Sequence, residues 1–206
     1  MIEVNQLTYK SILTNINGQF DLTLNHLKGD NGVGKTTLLD CICRINNKYS
    51  GSITGNQQLV YLNQTLFFSH KLKGKDFVQF VYQLEGIKSA KQAFFQFAEE
   101  NGALYDLEPL WNKKVGILSG GERKKLYFAT ICSLERKWYV FDEPFAGVDE
   151  RGKHFITAQL KRLLQQNKGI ILTPHETEPL QAFPHMETFQ LKPNELTKLS
   201  TPISKA

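Results

Sequence analysis

The stretch that decides the fold is GDNGVGKT, residues 29–36 of this 206-residue chain. It fits G-x-x-x-x-G-K-[ST], a loop whose backbone N–H groups wrap the phosphates of a nucleoside triphosphate. Alternating apolar residues before it indicate a strand, and an apolar stripe of helical period after it indicates a helix. Lys35 is expected to pair with the β/γ oxygens, and the Thr36 hydroxyl is expected to ligate Mg²⁺. The predicted phosphate-binding residues are Asn31, Gly32, Val33, Gly34, Lys35, Thr36 and Thr37.

A second stretch, WYVFDE at residues 138–143, has the form of a Walker B segment. Its short apolar run suits a strand that is buried on both faces. Asp142 at the end of this strand is predicted to hold Mg²⁺, directly or through water. Glu143 is predicted to polarise the attacking water, because that step needs a carboxylate near the γ-phosphate. An acidic turn after a strand is common by itself, but its place after a phosphate loop favours the functional interpretation.

A third stretch is LSGGE, residues 118–122. Together with the phosphate loop, it makes the chain resemble the ATPase subunit of ATP-binding cassette (ABC) transporters over nearly its whole length. The resemblance implies a second anion cradle that faces the nucleotide of the opposite subunit, formed by Ser119, Gly120, Gly121 and Glu122. Glu122 stands where the family most often has Gln, and its negative charge near a phosphate site could slow closure. Ser119 followed three residues later by Glu122 is also a capping box at a helix start.

Three further residues take roles from the same resemblance. Gln64 follows a predicted strand at the position of the family's Q-loop, which implies contact with Mg²⁺ and the attacking water. His175 matches the switch histidine that contacts the γ-phosphate, although Pro174 before it departs from the commoner Thr-His arrangement. Asp149 falls in the D-loop and is expected at a dimer interface.

The adenine platform is assigned by the resemblance to an aromatic residue upstream of the phosphate loop. Tyr9 has about the right position and offers a flat π face for stacking. Phe20 is the alternative, but its alternation with Leu22 and Leu24 favours a place in the core.

The predicted fold class is α/β, a P-loop NTPase core of the ABC-ATPase type with an N-terminal antiparallel β part. Residues 1–206 are expected to form a single ABC ATPase domain. Two amphipathic helical patterns within about residues 67–117 predict an α-helical subdomain inserted in the core. Residues 192–206 are polar with two prolines and are expected to form a flexible tail.

Composition limits the possible class of protein. Hydrophobic content is 41% and net charge is +5, which is ordinary for a globular chain with short basic runs. The three cysteines show no second ligand pair at metal spacing and are expected to be reduced packing residues. Residues 1–5 do not read as a signal peptide, and no run of 18 apolar residues exists, so the chain is predicted not to span a membrane.

The resemblance therefore implies an ATPase that uses ATP and Mg²⁺ and couples dimer closure to transport through a separate transmembrane permease subunit. The dimer is expected to be a homodimer or a heterodimer with a similar cassette, cytoplasmic and peripheral on the membrane through its partner. An exporter of peptide, drug or lipid is favoured by the short cassette. A DNA-acting relative needs a coiled coil for which residues 65–118 leave no room, so no nucleic-acid partner is expected. A non-hydrolysing switch is disfavoured by Glu143 and His175.

Overall fold

The computed structural model describes residues 1–199 and divides them into two compact units. The sheet unit comprises Met1–Gln64, Arg136–Pro144 and the chain from Leu163 onward, and the helical unit comprises Thr65–Glu135 and Phe145–Arg162. The predicted α/β class, with an antiparallel β part and an inserted helical part, is confirmed.

The first sheet is antiparallel and three-stranded, in the order β2-β1-β4. Its strands are β1 (Ile2–Tyr9), β2 (Leu13–Phe20) and β4 (Ser50–Thr54). Three apolar residues of β1 and three of β2 are fully buried in the core, and register shifts between the two strands interrupt the strict alternation of buried and exposed positions.

The second sheet carries the site and has the order β5-β6-β7-β3-β8-β9. Its first five strands in that order run parallel, and β9 is antiparallel to β8. All four residues of β6 and all four of β7 are buried, as continuous apolar runs in a parallel sheet should be. The strand bounds are β3 Leu24–Lys28, β5 Leu59–Leu62, β6 Trp138–Phe141, β7 Gly169–Leu172, β8 Glu187–Lys192 and β9 Glu195–Leu199.

Helix α1 (Lys35–Ile42) follows the phosphate loop and buries Leu38, Leu39, Cys41 and Ile42 in the core of the sheet unit. This packing fixes the helix start, and with it the loop, against the carboxyl end of β3.

The helical unit contains α2 (Gly74–Leu84), α3 (Ala90–Glu100), α4 (Leu104–Leu107) and α5 (Gly120–Cys132), with the first part of α6 (Glu150–Gln165). It extends past the predicted insert of residues 67–117, because α5 supplies part of its core. The rings of Phe77 and Tyr127 lie 4.2 Å apart, and Tyr82 donates a 2.6 Å hydrogen bond to Ser133.

The prediction of a flexible tail from residue 192 is wrong for residues 192–199. β9 pairs with β8 in register Leu191↔Leu196, and both of these leucines are buried. Sequence reasoning missed this strand because Leu196 and Leu199 are its only apolar residues and the local sequence is otherwise polar. Residues 200–206 lie outside the described part of the chain. Within residues 1–199, no helix has the length and apolar character needed to cross a bilayer.

Candidate functional site

The phosphate loop begins directly after β3 and ends at Gly34, the residue that precedes α1. Gly32 and Gly34 have φ of +79° and +106°, a region that favours glycine. A Cβ on Gly34 would also lie 2.9 Å from Cγ2 of Ile12. The motif glycines are therefore needed here both for the turn and for the close approach of β1–β2 to the loop.

The ammonium group of Lys35 is held by backbone carbonyls of the loop. The Lys35 ammonium donates to the backbone carbonyls of Gly29 at 2.7 Å and Asp30 at 3.0 Å. It lies at the start of α1, whose N–H groups and dipole also favour an anion. An incoming phosphate therefore meets a positive charge that the loop has already oriented.

Thr36 and Asp142 meet although they come from distant parts of the sequence. The Thr36 hydroxyl donates to Oδ2 of Asp142 at 2.7 Å. Asp142 follows β6, and only 4% of it is exposed. The predicted metal ligands from the loop and from the Walker B segment thus form one oxygen-rich corner.

Glu143 is the centre of the site. Its Oε2 accepts from Nε2 of Gln64 at 2.6 Å, and its Oε1 lies 2.7 Å from Nε2 of His175. Its backbone has φ of +52°, a conformation that costs a non-glycine residue roughly 1–3 kcal/mol and often marks a functional turn. The sheet therefore brings three residues predicted from separate motifs into direct contact.

Thr173 is a site residue that sequence reasoning did not single out. Its hydroxyl donates a short hydrogen bond to Oδ1 of Asp142 and accepts one from the Glu143 N–H at 3.2 Å. It follows β7, the strand beside β6, so the register of the sheet places it opposite the acidic pair. A polar residue just after a buried strand was the available signal.

A cavity of about 480 Å³ joins these groups. Its lining contains Ile12, Asn31, Gly32, Gly34, Lys35, Thr36, Thr37, Gln64, Asp142, Glu143 and His175. Of the predicted phosphate-loop residues, Val33 instead packs against the core of the sheet unit.

Tyr9 does not line this cavity. Its ring is partly buried against the core, with the Lys10 ammonium 5.1 Å from its centroid. Ile12, three residues later, lines the cavity in its place and is 38% exposed. Phe20 is fully buried and contacts Phe189 at 4.7 Å between ring centroids, so its predicted place in the core is confirmed. The alternation used to predict it is not one strand, because β2 ends at Phe20, Leu22 is 40% exposed and Leu24 begins β3.

The oxygen donors of the site suit Mg²⁺. This cation is usually held by one or two carboxylates together with phosphate oxygens and water. Asp40 is a second acidic residue whose charge interacts with that of Asp142. The pKa of Asp40 is raised, mainly by burial; a hydrogen bond with Tyr61 partly opposes this shift, and the charge of Asp142 adds to it. No group of three or more His, Cys, Asp and Glu side chains suited to a metal occurs in residues 1–199. A bound cation would therefore need nucleotide oxygens beside Thr36 and Asp142.

The signature residues lie in the helical unit at the start of α5. Ser119 Oγ accepts from the Glu122 N–H at 3.0 Å, and Glu122 Oε2 accepts from the Ser119 N–H at 2.9 Å. Lys113 binds the other Glu122 oxygen at 2.9 Å. The Ser119 N–H and Lys113 lower the pKa of Glu122, so its negative charge is stabilised locally. The start of α5 therefore presents the Ser119 hydroxyl beside backbone N–H groups of the helix N-terminus, a combination that favours an anion.

Gly120, Gly121 and Asp149 have ordinary local geometry. A Cβ on Gly120 or Gly121 would meet only the backbone of Gly147 or Val148, at 3.7 and 3.9 Å. Asp149 precedes α6, and its Oδ1 accepts from the Gly152 N–H at 2.8 Å, which caps that helix.

Comparison with known proteins places this geometry in a family. Residues 21–146 match the model of the ABC transporter family. A putative ABC transporter ATP-binding protein of Treponema denticola is 26% identical over 203 residues, covering 85% of this chain and 40% of that protein. A cytochrome c biogenesis ATP-binding export protein CcmA of Legionella pneumophila (strain Lens) is 27% identical over 167 residues, covering 76% of this chain and 81% of that protein.

Two solved structures show the same fold. One is an inward-facing conformation of a putative metal-chelate type ABC transporter, with a TM-score of 0.80, 20% identity and coverage of 97% of this chain and 82% of that chain. The other is a dimeric ATP-binding cassette in a post-hydrolysis state bound to ADP and Pi, with a TM-score of 0.77, 20% identity and coverage of 98% and 100%.

The fold and the phosphate-loop site define the class of P-loop ATPase cassettes, as the sequence predicts. The chain belongs to the ABC transporter family, because the match to that family covers more than half of the chain. It spans 40% of the length of the Treponema relative.

Proposed function

We propose that this chain is the ATP-binding and hydrolysing subunit of an ABC transporter, and that it drives transport through a separate membrane subunit. The observation that carries the proposal is the contact of Gln64 and His175 with the two oxygens of Glu143, at 2.6 and 2.7 Å, in the cavity that Lys35 also lines. Nucleotide binding requires the residues of the phosphate loop. The convergence of Gln64, Glu143 and His175 is not needed for binding, but it suits the activation of a water molecule for hydrolysis.

In the proposed reaction, the loop and Lys35 hold the β- and γ-phosphates of ATP. Glu143 accepts a proton from the attacking water while the water oxygen bonds to the γ-phosphorus. The electron pair of the breaking P–O bond passes to the β-phosphate, which leaves ADP and phosphate. His175 and Gln64 orient Glu143 and the water, since each already contacts one oxygen of the carboxylate.

Mg²⁺, held by Thr36 and Asp142 with Gln64 nearby, would neutralise charge on the phosphate oxygens during transfer. The hydrogen bond between Thr36 and Asp142 holds both oxygen donors together. Asp142 is nearly fully buried, so its carboxylate keeps one orientation for this task.

The proposed assembly is a head-to-tail dimer, either a homodimer or a heterodimer with a similar cassette. Ser119, Gly120, Gly121 and Glu122 of one copy would face the nucleotide held by Lys35 of the other, with Asp149 at the interface. The start of α5 suits an anion because a helix N-terminus presents backbone N–H groups and the positive end of the helix dipole. Adenine would stack on Tyr9 after a rotation of its ring, with Ile12 as the apolar neighbour that already lines the cavity.

The proposed location is the cytoplasmic face of the membrane, where a transmembrane permease would hold the chain. Export is the proposed direction of transport, with a peptide, drug or lipid as substrate. One relative at 27% identity is called an export protein, which supports export without selecting a substrate.

The test is ATP hydrolysis by the purified chain with Mg²⁺, compared with Glu143→Gln. The amide keeps the shape of the side chain but cannot take the proton, so turnover should fall at least about 100-fold. Glu150→Gln, which removes an exposed carboxylate that lies 2.9 Å from the Lys153 ammonium, is the charge-matched control and should keep the parent rate. Equal turnover of Glu143→Gln and the parent would remove Glu143 as the base.

A further inference from the structure

Thr173 joins the two acidic residues of the site through a single hydroxyl. This hydroxyl donates to Oδ1 of Asp142 and accepts from the Glu143 N–H at 3.2 Å. Thr36 holds the other oxygen of the same Asp142 carboxylate at 2.7 Å. The Asp142 side chain is thus fixed from both sides, from α1 and from β7.

The Thr173 side chain is itself held firmly. It is 1% exposed, and its backbone N–H donates to the Phe141 carbonyl at 3.2 Å, which continues the β6–β7 pairing beyond the last strand residue. Pro174 follows, and a proline restricts the residue before it to extended conformations. The proline between Thr and His therefore keeps Thr173 in the extended backbone that aims its hydroxyl at the acidic pair.

Glu143 needs such support because its backbone lies at φ +52°. In that turn the Glu143 N–H donates to the Thr173 hydroxyl, so this backbone donor has a hydrogen-bond partner beside a buried strand. The same turn directs the Glu143 carboxylate to Gln64 and His175. Loss of the hydroxyl would free both the turn and the metal-binding carboxylate at once.

We propose that Thr173 is a positioning residue for ATP hydrolysis, which sets Asp142 for the cation and Glu143 for the water through one hydroxyl. The inference rests on the proposed function, because the roles of Asp142 and Glu143 belong to it. The alternative is a packing role, in which the methyl group of Thr173 matters and the hydroxyl does not.

Two variants separate these roles. Thr173→Val keeps the shape and removes the hydroxyl, whereas Thr173→Ser keeps the hydroxyl and removes the methyl. For the Val variant, we expect turnover to fall about 10- to 100-fold, as is typical when the partner of a metal ligand is lost. KM for ATP with Mg²⁺ should rise along with the loss of Mg²⁺-dependent affinity, and the Ser variant should stay within about threefold of the parent in turnover, below the roughly 10- to 100-fold loss that is typical when the partner of a metal ligand is removed.

A second measurement does not depend on turnover. The affinity for a fluorescent ATP analogue is measured with Mg²⁺ and with EDTA, and the ratio gives the contribution of the cation. The ratio should shrink in Thr173→Val and persist in Thr173→Ser, while the affinity in EDTA stays the same in both. If the Val variant fails to fold by circular dichroism, Thr173→Ala replaces it with the same expected losses.

Parent-like turnover and Mg²⁺ dependence in the Val or Ala variant would overturn the proposal, and so would equal losses in the Val and Ser variants. A parent chain that does not hydrolyse ATP would instead count against the proposed function. The Mg²⁺-dependent binding ratio would then still decide whether Thr173 positions Asp142.

Discussion

Nε2 of His175 lies 2.7 Å from Oε1 of Glu143, and the exposed fractions of the two side chains are 51% and 15%. The base is therefore sheltered while its histidine partner stays open to solvent. Gln64 takes the other carboxylate oxygen, so the orientation of Glu143 depends on residues that follow two different strands, β5 and β7. A nucleotide or a second subunit that moves either residue would move the base.

Assembly is the first consequence to test. Glu143→Gln should bind ATP without cleaving it and should accumulate a dimer, because each composite site needs Lys35 of one copy and Ser119 of another. Light scattering with and without ATP measures the mass. Adding Lys35→Ala to the same chain is the control and should restore the monomer. A monomeric mass at high protein and ATP concentration would contradict the head-to-tail arrangement.

The second prediction concerns the affinity of the chain for ATP. Lys35→Ala removes the ammonium that two loop carbonyls hold in place. Charge-assisted hydrogen bonds contribute about 1.5–3 kcal/mol each, so ATP affinity should fall at least roughly tenfold. Fluorescence titration with an ATP analogue measures this. Lys28→Ala, just before the loop, is the matched control, and a similar loss in both variants would show that general charge, not Lys35, attracts the nucleotide.

The sequence predicted the loop, the acidic strand end, Gln64 and His175 because each follows a strand in a fixed order, and parallel strands bring such residues to one edge. It did not predict Thr173, since a single threonine after a strand carries no distinctive spacing. It also missed β9, where tertiary pairing of Leu196 outweighs a polar local composition. The contact between Glu122 and Lys113 depends on how two segments of the helical unit pack, which no local pattern records.

The capping box of α5 gives a third prediction. The pKa of Glu122 is lowered, so the folded state gains stability above the ordinary value of 4.5 and loses it as pH falls through the folded pKa. Glu122→Gln should lower the free energy of unfolding at pH 7 by about 0.5–1 kcal/mol, a modest effect for a partly exposed pair. The difference from the parent should decrease as pH falls below 4.5 and vanish once the pH lies below the folded pKa. Urea unfolding from pH 7 to 3 measures it, with Glu99→Gln on α3 as control. A difference that stays constant from pH 7 to 3 would contradict the role of the charge.

The fourth prediction concerns the surface that binds the membrane subunit. Two adjacent aromatic residues follow Gln64, and the structure distinguishes them: Phe67 is 77% exposed, whereas Phe68 packs against Phe77 at 5.3 Å between ring centroids. Phe67→Glu should therefore abolish co-purification with the membrane subunit while fold and ATP binding persist. Phe68→Glu should also lower the melting temperature, because it removes the ring contacts of a partly buried side chain with Phe77 and Phe80.

Tyr105→Glu is the control for that experiment, since Tyr105 is 90% exposed in the same unit. It should leave co-purification unchanged. Retention of the membrane subunit by folded Phe67→Glu protein would place this binding surface elsewhere.

The last prediction concerns His26 in β3, three residues before Gly29, where the phosphate loop begins. His26 is 4% exposed, and its Nε2 has no hydrogen-bond partner among residues 1–199. Burial, with a smaller contribution from Lys28, lowers its pKa from 6.5 to about 4. The unfolded chain therefore takes up a proton below pH 6.5 that the folded chain refuses until about pH 4. Stability should fall as pH falls through this window, by about 1.4 kcal/mol per pH unit at most.

His26→Leu removes this proton uptake, so its free energy of unfolding should depend less on pH between 6.5 and 5, where carboxylates of ordinary pKa remain charged. Urea unfolding of parent and variant at intervals across that range measures the difference in slope. His154→Leu, at an exposed position of α6, is the control and should keep the parent's slope. Equal slopes for the parent and His26→Leu would mean that His26 is protonated in the folded chain. The strand that leads into the phosphate loop would then tolerate a buried charge, and acid would not weaken the site from this side.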